Sequence, residues 1–130
     1  MSLTVGMTNT VYSVVTEDKT AASARSGSLP VFATPFMVAL MEEAASSLCE
    51  KETDDGITTV GTALSIEHLA ATAVGAEVRA TAKVTAVEGR KISFEVEAYD
   101  NAGLIGKGTH ERFSVKSEKF LAKAEERKAL

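Results

Sequence analysis

A chain of 130 residues with a net charge of -4 and 45% hydrophobic but only 5% aromatic residues is long enough to bury a core, one filled by Ala, Val and Thr rather than by rings. The acidic balance excludes nucleic acid as a main partner, because phosphate binding needs a basic surface. One cysteine, Cys49, excludes an internal disulfide or a cysteine metal cluster and fits a reducing cytoplasm. No apolar run approaches the roughly 20 residues of a membrane span, and the opening MSLTVGM lacks the basic and apolar regions of a signal peptide. One domain over 1–130, with no membrane partner, is expected.

TNTVYSVVT (8–16) is β-rich and half alternating, which predicts a first strand. EDKTAASARSGSLPVFAT is poor in large apolar residues and carries Gly27 and Pro30, so it reads as a loop or lid. Pro35 then follows Thr34. Proline favours the first helical turn and threonine is a good cap, so a helix is expected from here to about residue 51, with Thr34 as N-cap. Four period-2 segments follow, 57–72, 76–89, 90–100 and 104–116, separated by the turn signals VG, EGRK and DNAG. SEKFLAKAEERKAL closes the chain as a short helix capped by Ser117. This order makes an α+β domain, an antiparallel sheet curled around one long central helix with a short C-terminal helix.

The long helix holds an oddity. Residues three, four and seven apart share a helix face, so Glu43 and Glu50 stand with Ser47 on an ordinary wet stripe. Glu42 instead stands beside Val38, Ala45 and Cys49 on a mostly apolar one. An unpaired buried carboxylate costs several kcal/mol or takes up a proton. Unless that side is merely half exposed, it serves a purpose. His68 is a second oddity, ending a strand face that reads Val60, Thr62, Leu64, Ile66, His68. Alone it would be a core or rim histidine, but a carboxylate and an imidazole together make a general base system. Thr34 adds a hydroxyl at the positive end of a helix, where a developing oxyanion is favoured, although capping alone would also explain it. Arg112 is in phase with His110, Gly108 and Gly106, whose glycines allow a backbone or ligand to approach closely.

VFATPFMVALMEEAA, TTVGTALSIEHLAAT and GKGTHERFSV together resemble the hotdog-fold thioesterases, and within them the fluoroacetyl-CoA thioesterase-like group. The resemblance covers residues 8 to 116. In that group a Thr at the helix start is followed by a Glu eight residues on and a His 26 further on, which are Thr34, Glu42 and His68 here. The group's carbonyl-binding glycine falls on Gly61 and its last-strand arginine on Arg112. The resemblance implies a hotdog fold, a homodimer with active sites at its interface, an acyl-CoA substrate hydrolysed to carboxylate and CoA, and no cofactor or metal. Glu42 would activate water or attack the carbonyl itself, and His68 would hold Glu42 or the water, or protonate the leaving thiolate. Thr34 and the Gly61 N–H would stabilise the oxyanion, or Thr34 would be the nucleophile. In the fluoroacetate-specific member a lid of aromatic residues precedes the helix. The matching stretch here, ARSGSLPVFAT, has Phe32 alone, which points to a short-chain or aryl acyl group with Phe32 against it. The sequence does not show which cations meet the CoA phosphates; the resemblance alone makes Arg112 a candidate.

Three other readings compete. A hydratase needs an acid and a histidine that converge, but Glu67–His68 and His110–Glu111 are strand neighbours facing opposite ways. A module that binds acyl-CoA without hydrolysing it would not need Glu42, His68 and Thr34 together. Cys49 as nucleophile is disfavoured, because a neighbouring carboxylate raises a thiol pKa. The basic residues of the last helix alternate with Glu118, Glu125 and Glu126 and read as a mixed-charge solvated face.

Overall fold

The computed structural model describes residues 2–129. Strand β1 (Thr8–Val14) leads through a 3-10 turn into the one-turn helix α1 (Ala21–Ala24) and the long helix α2 (Thr34–Lys51). Strands β2 (Ile57–His68), β3 (Glu77–Glu88), β4 (Lys91–Asp100) and β5 (Gly103–Lys116) follow. Helix α3 (Ser117–Glu126) then runs into a 3-10 turn, and Leu130, at the end of the predicted last helix, lies outside the described residues. The five strands form one antiparallel sheet in the order β1-β3-β4-β5-β2. The β3–β4 and β4–β5 hairpins turn at Gly89 (φ 64°) and Gly103 (φ 136°), backbone positions that glycine takes without strain. The sheet wraps α2, which is the hotdog arrangement.

Met37, Leu40, Met41, Ala44, Ala45, Leu48 and Cys49 recur at helical spacing and are the buried side of α2. They share one core with Ala80 and Ala82 of β3 and Ala98 of β4, all fully buried. Small alanines of the sheet thus lie in one core with Met37, Met41 and Phe94, its large fully buried side chains. Asn9 of β1 fixes the helix from one side, its Nδ2 donating to the Ala44 carbonyl at 2.9 Å and to Ser47 Oγ at 2.8 Å.

The sequence-based boundaries need four corrections. The N-cap of α2 is Ala33, in extended conformation, while Thr34 and Pro35 are already helical; the Thr34 hydroxyl is drawn away to another partner described below. α3 likewise begins after Lys116, with no side-chain cap from Ser117. The second strand stops at His68 rather than residue 72, because the Leu69 and Ala70 N–H groups turn to the Ile105 carbonyl. The lid is tied down rather than loose: Ala21 N–H donates to the Val31 carbonyl and Phe32 N–H to the Thr72 carbonyl, both at 2.8 Å.

β2 carries a bulge. Gly61 pairs with Arg112 and Ala63 with Glu111, so Thr62 is an extra residue. The insertion reverses the alternation. Thr59 and Gly61 face the helix before it, and Leu64, Ile66 and His68 after it, so the single row from Val60 to His68 read from period 2 does not exist. On β5 the in-phase glycines do admit close neighbours. A Cβ on Gly108 would lie 2.0 Å from the Ser65 carbonyl oxygen of β2, whereas one on Gly106 would lie 2.6 Å from the tip of Met37 and 3.0 Å from the Glu67 carbonyl oxygen. A backbone oxygen cannot swing aside, whereas a methionine tip can. Gly108→Ala should lower stability by roughly 1–3 kcal/mol and Gly106→Ala by clearly less, compared by urea midpoint; equal losses would contradict this packing.

Candidate active site

The start of α2 and the end of β2 meet. Thr34 Oγ1 lies 2.7 Å from His68 Nδ1, which is why the hydroxyl does not cap its own helix. His68 Nε2 is buried and has no hydrogen-bond partner among the described residues. Burial pushes the His68 pKa below its usual value, opposed by a backbone contact with Ala70. The pair borders a cleft of about 360 Å³ shared with Val31, Phe32 and Leu69. Phe32 itself is only 2% exposed and belongs to the core, so it forms the floor of this cleft rather than an aromatic lid.

A second group gathers two turns further along α2. Glu42 is not desolvated as its apolar stripe suggests: its side chain is 38% exposed, and Oε2 lies 3.9 Å from Arg112 Nη1. The expectation that fails here is for Arg112 at the CoA phosphates, because this residue is 6% exposed and its guanidinium is spent inside. Nε donates to Thr59 Oγ1 and Nη2 to the Thr59 carbonyl, both at 2.9 Å, while Nη1 lies 3.2 Å from His110 Nε2. Gly61 makes room for all of this. A Cβ there would lie 2.8 Å from Glu42 Oε2, 3.2 Å from His110 Cε1 and 3.4 Å from Arg112 Nη1.

His110 completes the group, and sequence reasoning assigned it no role. It is 1% exposed, with Nδ1 2.9 Å from the Ala63 carbonyl and the ring 6.0 Å from that of Phe94, nearly parallel. A carbonyl only accepts and a guanidinium only donates. Nδ1 therefore carries the proton and Nε2 offers its lone pair to Arg112. Burial lowers the His110 pKa, the Ala63 carbonyl opposes the shift, and the Arg112 charge reinforces it. One signal could have revealed this residue: a strand face reading Gly106, Gly108, His110, Arg112 has no aliphatic side chain and cannot be plain core. Cys49 is fully buried beneath the group, and burial pushes its thiol pKa up, which suits core packing and not nucleophilic attack.

The three predicted catalytic residues thus separate within the chain. Thr34 and His68 are in contact, whereas Glu42 keeps company with Gly61, Arg112 and His110. Eight helical residues, about 12 Å of axis, lie between Thr34 and Glu42.

Both histidines are held toward the neutral form by burial, so the unfolded chain binds protons first as pH falls below an ordinary histidine pKa of ~6.5. Stability from this source is full above that value and is lost as pH falls through the depressed folded values. The chain has only these two histidines. The urea midpoint should fall from about pH 7 to 5 in the wild type, less steeply in His68→Gln and least in the His68→Gln/His110→Gln double variant. An unaltered slope in both variants would assign the effect to other groups.

Residues 15–118 match the family of FlK, the fluoroacetyl-CoA-specific thioesterase. A fluoroacetyl-CoA thioesterase from Streptantibioticus cattleyicolor is 44% identical over 97 residues, 75% of this chain and 70% of that protein. The solved structure of the fluoroacetyl-CoA thioesterase FlK superposes with a TM-score of 0.91 at 39% identity, covering 97% of this chain and 98% of that one. A thioesterase superfamily member from Thermus thermophilus does so with a TM-score of 0.91 at 30% identity, covering 99% and 96%. With this match over most of its length, the chain belongs to the fluoroacetyl-CoA-specific thioesterase family.

Proposed function

We propose that this protein hydrolyses acyl-CoA thioesters carrying a short-chain or aryl acyl group, using Glu42, His68 and Thr34. The observation that carries the reading is a partly exposed carboxylate held over a glycine by a buried arginine, with a hydroxyl–imidazole pair on the same sheet face. Glu42 takes a proton from water, and the water oxygen attacks the thioester carbonyl carbon. The Gly61 N–H, at the bulge, receives the charge developing on the carbonyl oxygen. With the Thr34 hydroxyl donating to Nδ1, the neutral His68 ring bears its proton on Nε2. That N–H donates a hydrogen bond to the leaving sulfur, and the proton that Glu42 took from water passes to the sulfur as the C–S bond breaks. Phe32, as floor of the cleft, contacts the acyl group, and its isolation in ARSGSLPVFAT argues against a pocket built for fluorine.

The separation of Glu42 from His68 favours a homodimer with shared sites. β2 is an edge strand of 12 residues, paired on one side only, and an edge of that length needs cover. Two β2 edges pairing antiparallel about a twofold axis would set the His68 end of one strand beside the Ile57–Gly61 end of its mate. Thr34 and the partner's Glu42 would then face one substrate. A cytoplasmic location belongs to the same reading, supported by the single unpaired Cys49; among the described residues no helix is long and apolar enough to cross a membrane.

On a panel of acetyl-, butyryl-, hexanoyl-, benzoyl- and phenylacetyl-CoA, followed by thioester absorbance, Glu42→Ala should lower kcat on the best substrate by about 100-fold or more. Binding without turnover in the wild type would favour a non-catalytic acyl-CoA module instead. Cys49→Ser should keep its turnover. Mixing Glu42→Ala with His68→Ala protomers should restore about a quarter of wild-type activity, since half the dimers are mixed and each of those has one intact site. No recovery in a mixture shown to exchange subunits would place each site within one protomer.

A further inference from the structure

Buried Arg112 leaves the CoA phosphates without a ligand, yet one cleft far from the chain's average charge offers four. It lies between the end of β5, the start of β2 and α3, measures about 380 Å³ and is bordered by Arg90, Lys116, Lys119 and Lys123 around the apolar surface of Ile57 and Phe120. No acidic residue lines it, in a chain whose net charge is -4. Among the described residues none of these four cations reaches salt-bridge distance of a carboxylate, whereas Lys128, further along the C-terminal segment, pairs with Glu125. The mixed charge of the C-terminal helix is therefore sorted. Lys119 and Lys123, one turn apart, border the cleft with Phe120 between them, while Glu118, Glu125 and Glu126 do not. Phe120 is 46% exposed, an aromatic face open to a planar ring.

We infer that this cleft binds the 3′-phosphorylated adenosine diphosphate end of coenzyme A, its phosphates on Lys116, Lys119, Lys123 and Arg90 and its adenine against Phe120. The assignment rests on the acyl-CoA reading above. Phosphate groups suit clustered lysines as point charges, and adenine stacks on an aromatic side chain. The position is also right. Ile57 pairs with Lys116 across β2 and β5 as Gly61 pairs with Arg112, so the cleft lies at the Ile57 end of the same strand pair that carries Gly61. Ile57 and Gly61 are four strand residues, about 13 Å, apart, a distance the extended pantetheine arm bridges.

The experiment compares two thioesters of the same acyl group, one of CoA and one of N-acetylcysteamine, which lacks the nucleotide. Lys119→Ala/Lys123→Ala changes only exposed residues of α3, and circular dichroism checks its fold. The variant should raise KM for the CoA thioester about tenfold with kcat unchanged, and leave kcat/KM for the N-acetylcysteamine thioester as in the wild type. Adenosine 3′,5′-bisphosphate should inhibit the wild type competitively and the variant about tenfold more weakly. Unchanged KM for both substrates, or an equal rise in both, overturns the nucleotide assignment while leaving the thioesterase reading in place. If the wild type turns over neither substrate, that reading fails by itself. Calorimetric binding of adenosine 3′,5′-bisphosphate to wild type and variant then decides the cleft, with equal affinity or no binding overturning it.

Discussion

The site depends on a charge placed where water cannot reach it. A buried guanidinium is costly unless its donors are met, and Arg112 meets this demand with Thr59 on β2, His110 on its own strand and Glu42 on α2. Two strands and the helix are thereby tied at one point. The same demand explains the neighbours: Thr59 supplies both a hydroxyl and a carbonyl, His110 must be neutral to accept, and residue 61 must be glycine to leave the space. The carboxylate is oriented by the one Arg112 nitrogen that also faces His110. Glu42 thus owes its position to Arg112 and, through it, to Thr59 and His110.

Much of this was legible in the chain, and the failures have physical causes. The 3.6-residue period put Glu42 off the wet stripe of Glu43, Ser47 and Glu50, and it does turn toward the sheet, while Ala45 and Cys49 of its stripe are fully buried. Its partial exposure was hidden because period reports direction and not depth. The phase of β5 held, since nothing interrupts it between Gly106 and Arg112. The phase of β2 did not hold, because an inserted residue leaves no mark in a pattern of Thr, Gly and Ala, any of which fits either face. Thr34 looked like a cap because threonine so often is one; the competing acceptor lies 34 residues away, beyond any local rule. His110 went unread because its partners are a backbone carbonyl and a guanidinium, neither of which a motif displays.

The two groups of site residues answer different needs. Around Arg112 the hydrogen bonds are closed and interior, as befits a part that must not move. Around His68 one nitrogen is left without a partner among the described residues, beside a cleft and near an unpaired strand edge. The rigid half and the unfinished half sit at opposite ends of β2, with the bulge between them. That bulge lets residues 61 and 68, an odd number of steps apart, face the same way.

The alanines in the sheet that share the core with α2 carry a consequence for how this protein tolerates change. A core of large side chains can absorb a substitution by rotating its neighbours, but alanines have no rotamers to offer. Enlarging Ala80, Ala82 or Ala98 would lift the helix as a body and carry the carboxylate of Glu42 away from the sheet that Arg112 stands on. Helix height and the Glu42–Arg112 separation are one variable here. Drift in these interior positions would therefore register in the Glu42–Arg112 pair before it registered in the fold.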